Sequence, residues 1–326
     1  MKYLYTCNMQ IIVLDGHTLN PGDLSWEALK KLGNLQVYER TQPSEIVERV
    51  GNAEIVLTNK VLLNRNILQQ LPHLKYIGVT ATGYNIVDMD YARQQGVIVT
   101  NVPGYSTGSV AQLCFSLLLE MCLHAQKHSD SVRQGKWSAS PDFSFWDYPL
   151  MELEGKIMGI IGFGQIGQRV ADIASAFGMH VLAYSRSLTD QSHRKHFEWT
   201  SLETLFKQAD VVSLHCPLTA HTRGMINRET LALMRCSAYL INTARGPLID
   251  EEALAEALNT QQIAGAGLDV LSQEPPPVDH PLLSAKNCLI TPHIGWATLD
   301  ARKRLMQTTI ENLKAYLSGE SLNQII

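Results

Sequence analysis

The chain has 326 residues, more than one ordinary domain holds, so two are expected. It is 45% apolar and 18% charged, the make-up of a globular protein able to bury large cores. A net charge of −4 with no basic block gives no sign of a nucleic-acid partner, and none is expected. The longest apolar stretch, 110–123, is interrupted by Gln112, Ser116 and Glu120 and is too short to span a bilayer.

The elements follow in a regular order. Residues 10–15 read as the first strand, 20–23 as a turn and 24–32 as a helix ending at Gly33. Strands at 35–38, 54–58, 76–80 and 97–100 alternate with helices at 44–50, 64–70 and 88–95, Asp88 capping the last. Strict alternation implies a parallel, doubly wound sheet. A long helix follows, capped by Ser106 or Thr107, with Val110, Cys114, Leu117, Met121 and Ala125 on its apolar face. Beyond the turn-rich 137–142 come six further strands: 156–161, 180–184, 211–215, 238–242, 264–269 and 287–291. They make a second doubly wound domain. The last helix, 298–317, lies beyond the second sheet and is expected to cross back to the first. The fold class is therefore α/β, two doubly wound parallel-sheet domains with a crevice between them. The expected division is 1–104 with 297–326 for the substrate domain and 105–296 for the dinucleotide-binding domain.

Residues 1–8 precede the first strand and are expected to be a loose extension. They hold Lys2 but no apolar signal core, so no export signal is read. The six cysteines (7, 114, 122, 216, 236 and 288) form no C-x-x-C and are expected to be reduced, buried thiols of a cytoplasmic protein.

The segment 156–178 is the informative one. An apolar strand is followed by Gly162, Gly164 and Gly167 in the spacing G-x-G-x-x-G. A helix then carries Ile166, Val170, Ile173, Ala174 and Phe177. Gly162 permits the tight turn, Gly164 admits a pyrophosphate to the backbone, and Gly167 lets helix pack on strand. The free N–H groups of the helix start face the phosphates. The motif alone is weak; in this strand–turn–helix setting it points to a dinucleotide.

Ligands of such sheets bind beyond the carboxyl ends of the strands. There stand Arg245, after strand 238–242, Glu274, in the loop after strand 264–269, and His293, after strand 287–291. Singly each has a bland reading: surface cation, solvated loop acid, satisfied histidine. Together they supply what reduction of a 2-oxo acid needs. Arg245 clamps the carboxylate and polarises the carbonyl. His293 exchanges a proton with the developing alkoxide, and Glu274 orients the imidazole and favours its charged form. Main-chain N–H groups around Thr82 and Gly83 can hold the other carboxylate edge.

These pieces resemble the D-isomer-specific 2-hydroxyacid dehydrogenases over nearly the whole length. The matching stretches are 81–85, 101–103, 162–167, 215–219, 242–246, 267–270 with Glu274-Pro275, and 291–295. The stretches 141–148 and 293–298 are most similar to the glycerate dehydrogenase, or hydroxypyruvate reductase, branch. The resemblance implies that Arg245, Glu274 and His293 are catalytic. It implies that Thr107, Gln165, Ile166, Cys216, Pro217, Thr222, Thr243 and Asp269 touch the cofactor, Asp269 through the nicotinamide carboxamide. It also implies a homodimer joined through the second domain, with the long helix and the 137–150 loop in the interface. Trp146 is read either as dimer core or as closing the neighbouring subunit's pocket over the substrate.

Two departures stand out. The acid expected after the second strand of the nucleotide domain is replaced by Ser185-Arg186-Ser187, which suits the 2′-phosphate of NADP; an Arg stacked on adenine would also permit NAD. With the last residue at Ile326, no regulatory domain of the kind that many phosphoglycerate dehydrogenases carry is expected. Glutamate at 274 separates it from formate dehydrogenase relatives, which usually carry glutamine there. The expected activity is NAD(P)H-dependent, reversible reduction of hydroxypyruvate or glyoxylate. The alternatives are a broad D-2-hydroxyacid dehydrogenase for apolar 2-oxo acids and a dinucleotide-sensing, corepressor-like binding protein.

Overall fold

The computed structural model describes residues 9–326, so the expectations for 1–8 and for Cys7 lie outside the described residues. Contacts divide the chain into two compact units, one of residues up to Ser106 with Trp296–Ile326, the other Thr107–Gly295.

The first unit starts with β1 (Gln10–Val13), α1 (Gly16–Leu19), α2 (Glu27–Lys30), β2 (Asn34–Val37) and α3 (Ile46–Val50). It continues with β3 (Ile55–Thr58), α4 (Arg65–Leu68), β4 (Tyr76–Val79), α5 (Met89–Gln94) and β5 (Ile98–Thr100). All pairs are parallel, in the order β2-β1-β3-β4-β5. Every residue of β3 and β4 is buried, as continuous apolar runs covered on both faces require. The helix expected over 24–32 shrinks to Glu27–Lys30, and the turn of helix α1 was not foreseen. Asn20 is the cause: its Oδ1 accepts from Gly22 N and Leu24 N, and its Nδ2 donates to Leu24 O at 2.8 Å. That asparagine holds 20–24 as a loop.

The second unit starts with α6 (Thr107–Leu123) and α7 (Ala125–Arg133). The helix expected to run through Ala125 stops at Leu123, because His124 adopts the left-handed conformation at φ 48°. Ala125 therefore opens α7 and leaves the apolar face of α6. Then come β6 (Ile157–Ile161), α8 (Gln165–Ala176), β7 (His180–Tyr184), β8 (Phe197–Trp199), α9 (Leu202–Gln208) and β9 (Val211–Leu214). α10 (Arg228–Leu233), β10 (Tyr239–Asn242), α11 (Glu251–Asn259), β11 (Gly265–Leu268) and β12 (Cys288–Ile290) complete it. The strands number seven, not six. β8 is a three-residue edge strand, too short to show a period of two, paired as Val181 with Phe197 and Ala183 with Trp199.

The order β12-β11-β10-β9-β6-β7-β8, all parallel, is that of the Rossmann fold. Alternate side chains feed two cores: Met158, Ile160 and Ile241 pack with α6 and α8, while Ile161, Val212 and Leu240 pack with α9, α10 and α11. The order in which strands are added reverses between β6 and β9, the switch point above which such sheets bind ligands.

The last helix, α12 (Leu299–Ser318), belongs to the first unit. Its Ala301, Leu305, Met306, Ile310 and Leu313 share a core with Ile11, Val13, Leu57 and Tyr76. Arg302 grips both carboxylate oxygens of Asp23 at 2.6 Å. No single helix among the described residues is long and apolar enough to cross a membrane. Five described cysteines are free thiols; Cys114 and Cys122 are buried, Cys216 and Cys288 half-buried, and Cys236 is exposed, against the expectation of burial.

Candidate active site

The three glycines of the 162–167 turn each do a different thing. Gly162 has φ 95°, and a Cβ there would lie 2.5 Å from Cys216 N, so the turn after β6 presses on the chain leaving β9. Gly167 lies under the turn: its Cβ would stand 2.2 Å from Gly162 O. Gly164, by contrast, faces open space, with no atom within 4 Å of the Cβ position. It is the N-cap of α8, offers no side-chain cap, and leaves the first N–H groups of a 12-residue helix for an anion. Gln165 is exposed and Ile166 half-buried in that first turn; Thr107 Oγ1 donates to Gln165 Oε1 at 3.4 Å.

The loops after β9 and β10 flank the turn. Thr222 Oγ1 donates to Pro217 O at 2.7 Å and accepts from Thr219 N, which fixes 216–222 as a rigid loop. Thr243 Oγ1, after β10, is the one buried side-chain polar atom among the described residues without a partner. An orphaned hydroxyl, an open glycine and a bare helix N-terminus together fit a dinucleotide.

After β7, Ser185 is half-buried, and Arg186 and Ser187 are exposed. The next acid, Asp190, is turned away into its own loop, accepting from Ser192 N at 2.9 Å, a bond that lowers its carboxyl below the usual range. Arg194 anchors that loop to α8 through Asp172 and bonds Gln191 Oε1 at 2.7 Å. Among the described residues no carboxylate pairs with Arg186.

The catalytic candidates share the second unit. His293 Nδ1 lies 2.7 Å from Glu274 Oε2, and Glu274 Oε1 accepts from Leu271 N at 3.1 Å. His293 itself takes φ 54°, and the left-handed residue turns the loop beyond β12. Asp269 holds that loop. Its Oδ1 accepts from Thr291 Oγ1 at 2.6 Å and Ile294 N at 2.8 Å, and its Oδ2 from Gly295 N at 2.8 Å. Three of a carboxylate's roughly four acceptor directions are thus spent on the histidine loop, a role that the sequence reading missed. Arg245 is exposed, and its Nη1 donates to Ala244 O at 2.6 Å. Asn242 shapes the turn below it, accepting from Ala244 N and donating to Arg245 O at 2.8 Å. An asparagine ending a strand before a tight turn is a signal that could have been read. A Cβ on Gly246 would stand 2.0 Å from the carbonyl carbon of Leu271, so the Arg245 turn and the Glu274 loop lie against each other.

Thr82 and Gly83 lie in the first unit, in the loop after β4. Thr82 Oγ1 donates to Val102 O at 2.9 Å, and Asn101 Nδ2 donates to Thr82 O at 2.7 Å. Trp146 lies in the second unit and is 68% exposed; its neighbour Phe143 is 91% exposed. The loop is nonetheless tied down: Trp137 Nε1 donates to Phe143 O, Asp147 pairs with Lys136, and Asp147 N donates to His128 Nε2.

A second histidine, His215, follows β9. His215 Nε2 is 2.8 Å from Ser213 Oγ, which is 3.3 Å from Cys114 Sγ. Burial pushes the His215 ring down to about 4 and the Cys114 thiol up to about 12. Both are held neutral by burial, and the chain of bonds joins α6 to β9. An unfolded histidine titrates near about 6.5. Neutral His215 therefore contributes its stability in full above that value and loses it as pH falls toward about 4, by up to about 3 kcal/mol. Replacing His215 with Asn is expected to flatten the fall in melting temperature between these two values. Equal slopes for the two proteins would show that the ring stays hydrated.

The family described as D-isomer specific 2-hydroxyacid dehydrogenase, NAD binding domain, matches residues 115–295. The chain belongs to this family. The dehydrogenase is 48% identical over 320 residues to a hydroxypyruvate reductase of Blautia hydrogenotrophica, covering 97% of this chain and 99% of that one. It is 41% identical over 291 residues to a glycerate dehydrogenase of Methylorubrum extorquens, covering 88% and 90%. Both lie in the branch to which the stretches 141–148 and 293–298 pointed. An acyclic imino acid reductase solved in complex with NADPH and D-Arg superposes with TM-score 0.85 at 31% identity, over 98% of this chain and all of that one.

Proposed function

We propose that the dehydrogenase reduces hydroxypyruvate or glyoxylate to the D-2-hydroxy acid, reversibly, with NADPH favoured over NADH. The observation that carries the chemistry is the 2.7 Å contact between His293 Nδ1 and Glu274 Oε2. With Nδ1–H given to Glu274, Nε2 is the atom that delivers a proton to the substrate oxygen and takes it back in oxidation. Glu274 fixes the orientation of the ring, and Leu271 N–H fixes Glu274 in turn. Arg245, exposed at the end of β10, receives the substrate carboxylate in its planar fork and draws charge onto the carbonyl oxygen.

Gly162, Gly164, Gln165, Ile166 and Gly167 would hold the dinucleotide's phosphates. Ser185, Arg186 and Ser187 would take its adenosine end, and Thr107, Cys216, Pro217, Thr222, Thr243 and Asp269 would complete the cradle. When bound, the nicotinamide supplies or accepts the hydride. Hydroxypyruvate and glyoxylate are chosen because the relatives at 48% and 41% identity are named for hydroxypyruvate and glycerate, and others for glyoxylate. The test is loss of absorbance at 340 nm with NADPH and NADH across a panel of 2-oxo acids. Turnover of apolar 2-oxo acids in preference would give the broad-specificity alternative. Tight dinucleotide binding without turnover would give a sensing protein.

The protein is proposed to work as a homodimer through the apolar surface of the second unit. Trp137, Phe143, Trp146 and Leu150 are exposed there beside α7. Changing Trp146 to Ala is expected to raise KM several-fold for some 2-oxo acids more than for others, with the dimer intact by light scattering. Equal effects on every substrate, with loss of the dimer, would make Trp146 interface core alone.

A further inference from the structure

Glu251 opens α11, and its side chain is 14% exposed. Its Oε1 accepts from Ser272 N at 2.8 Å, and its Oε2 lies 3.2 Å from His280 Nε2. His280 is 8% exposed, and its Nδ1 accepts from Leu282 N at 3.3 Å. A ring nitrogen that accepts carries no hydrogen, so Nε2 holds the proton and donates it to Glu251. One carboxylate thus closes both ends of the segment 272–280, and Glu274 lies inside it.

The two successive peptides that meet at Leu271, at the near end of that segment, have three jobs. Leu271 N–H donates to Glu274 Oε1, Ser272 N–H donates to Glu251 Oε1, and the carbonyl between them packs on Gly246, next to Arg245. Movement of the backbone at Leu271 would shift the orientation of Glu274 and the turn that carries Arg245 together. A carboxylate taken this far out of water is costly unless its bonds are made, and Glu251 spends both oxygens on this one segment.

We propose that Glu251 is a positioning residue for the acid–base pair: held by Ser272 and His280, it fixes the 271–274 turn so that Glu274 meets His293. The inference rests on the acid–base reading of Glu274 and His293. In Glu251→Gln one amide oxygen remains, and the amide NH₂ faces a second donor, either Ser272 N–H or His280 Nε2–H. One of the two ties is therefore lost. A merely structural Glu251, acting on α11 and general stability, would weaken the enzyme by the same factor whatever stands at 274.

The experiment is a double-mutant cycle on the full chain. It reads kcat for hydroxypyruvate with saturating NADPH, and NADPH affinity by fluorescence, in wild type, Glu251→Gln, Glu274→Gln and the double variant. Glu251→Gln is expected to lower kcat about 10- to 100-fold with NADPH affinity kept, and to add no further loss in the Glu274→Gln background. If Glu251→Gln does not fold, His280→Leu takes its place in the same cycle, with a smaller loss that also vanishes in the Glu274→Gln background. Equal losses in both backgrounds, or none in either, would overturn the positioning role. A Glu274→Gln enzyme with wild-type kcat would overturn the acid–base reading itself, and this inference with it.

Discussion

Replacing His293 with Ala is expected to lower kcat for reduction by about 10² to 10⁴-fold while NADPH still binds. The expectation follows from what the imidazole does and from what holds its loop. The ring contacts Glu274, but the loop is secured by Asp269 through Thr291 Oγ1, Ile294 N and Gly295 N. Loss of the ring therefore removes the proton donor and leaves the loop in place. One complication is the backbone at φ 54°, which Ala tolerates poorly and Asn well. His293→Asn is the control, because it keeps the left-handed turn and lacks the acid. Equal deep losses of kcat in both variants would assign the effect to the proton. A His293→Ala enzyme of near-normal kcat would remove His293 from the chemistry.

What could be read from the sequence was whatever repeats at a fixed period or sits at a strand's end. Apolar runs such as 55–58 and 76–79 announce buried parallel strands, so the two sheets were legible. The places of Arg245 and His293 were legible for the same reason, each lying just beyond such a run, and Glu274 lies in the loop after one. β8 was not, since three residues on an edge carry no pattern and Glu198 interrupts them. The break at His124 was not, because nothing in the apolar spacing of α6 changes there; the left-handed residue alone divides the helix. The second layer of the site was the least legible. Glu251 meets Ser272 and His280 across 21 and 29 residues, and Asp269 meets Gly295 across 26. Such pairings exist only once the sheet has brought the loops of β10, β11 and β12 side by side. Asp269 shows the limit well: the sequence places it at the end of β11, but its three bonds to the histidine loop are visible only in the fold.

Replacing Arg186 with Asp is expected to move the ratio of kcat/KM for NADPH over NADH by about 10²-fold or more, from favouring NADPH to favouring NADH. A fold of this kind discriminates at the end of its second strand, where an acid takes the ribose hydroxyls and repels a 2′-phosphate. In this chain β7 ends at Tyr184, and Ser185-Arg186-Ser187 follow with Arg186 exposed and free of any carboxylate among the described residues. Asp190 does not stand in for the missing acid, because it is bonded to Ser192 N within its own turn. The loop beyond is anchored by Arg194 on Asp172 and by Trp199 Nε1 on Thr189 O at 3.2 Å, which leaves 185–188 projecting. Hydrogen bonds to a charged group contribute about 1.5–3 kcal/mol each, and about 1.4 kcal/mol is tenfold. Loss of the guanidinium contacts to a 2′-phosphate therefore accounts for about tenfold or more. The introduced carboxylate contributes the remainder by repelling the phosphate and accepting from the ribose hydroxyls of NADH. Steady-state kinetics of both proteins with both cofactors measures the ratio. A wild type that uses NADH as well as NADPH, with Arg186→Asp changing neither, would show that Arg186 does not read the phosphate.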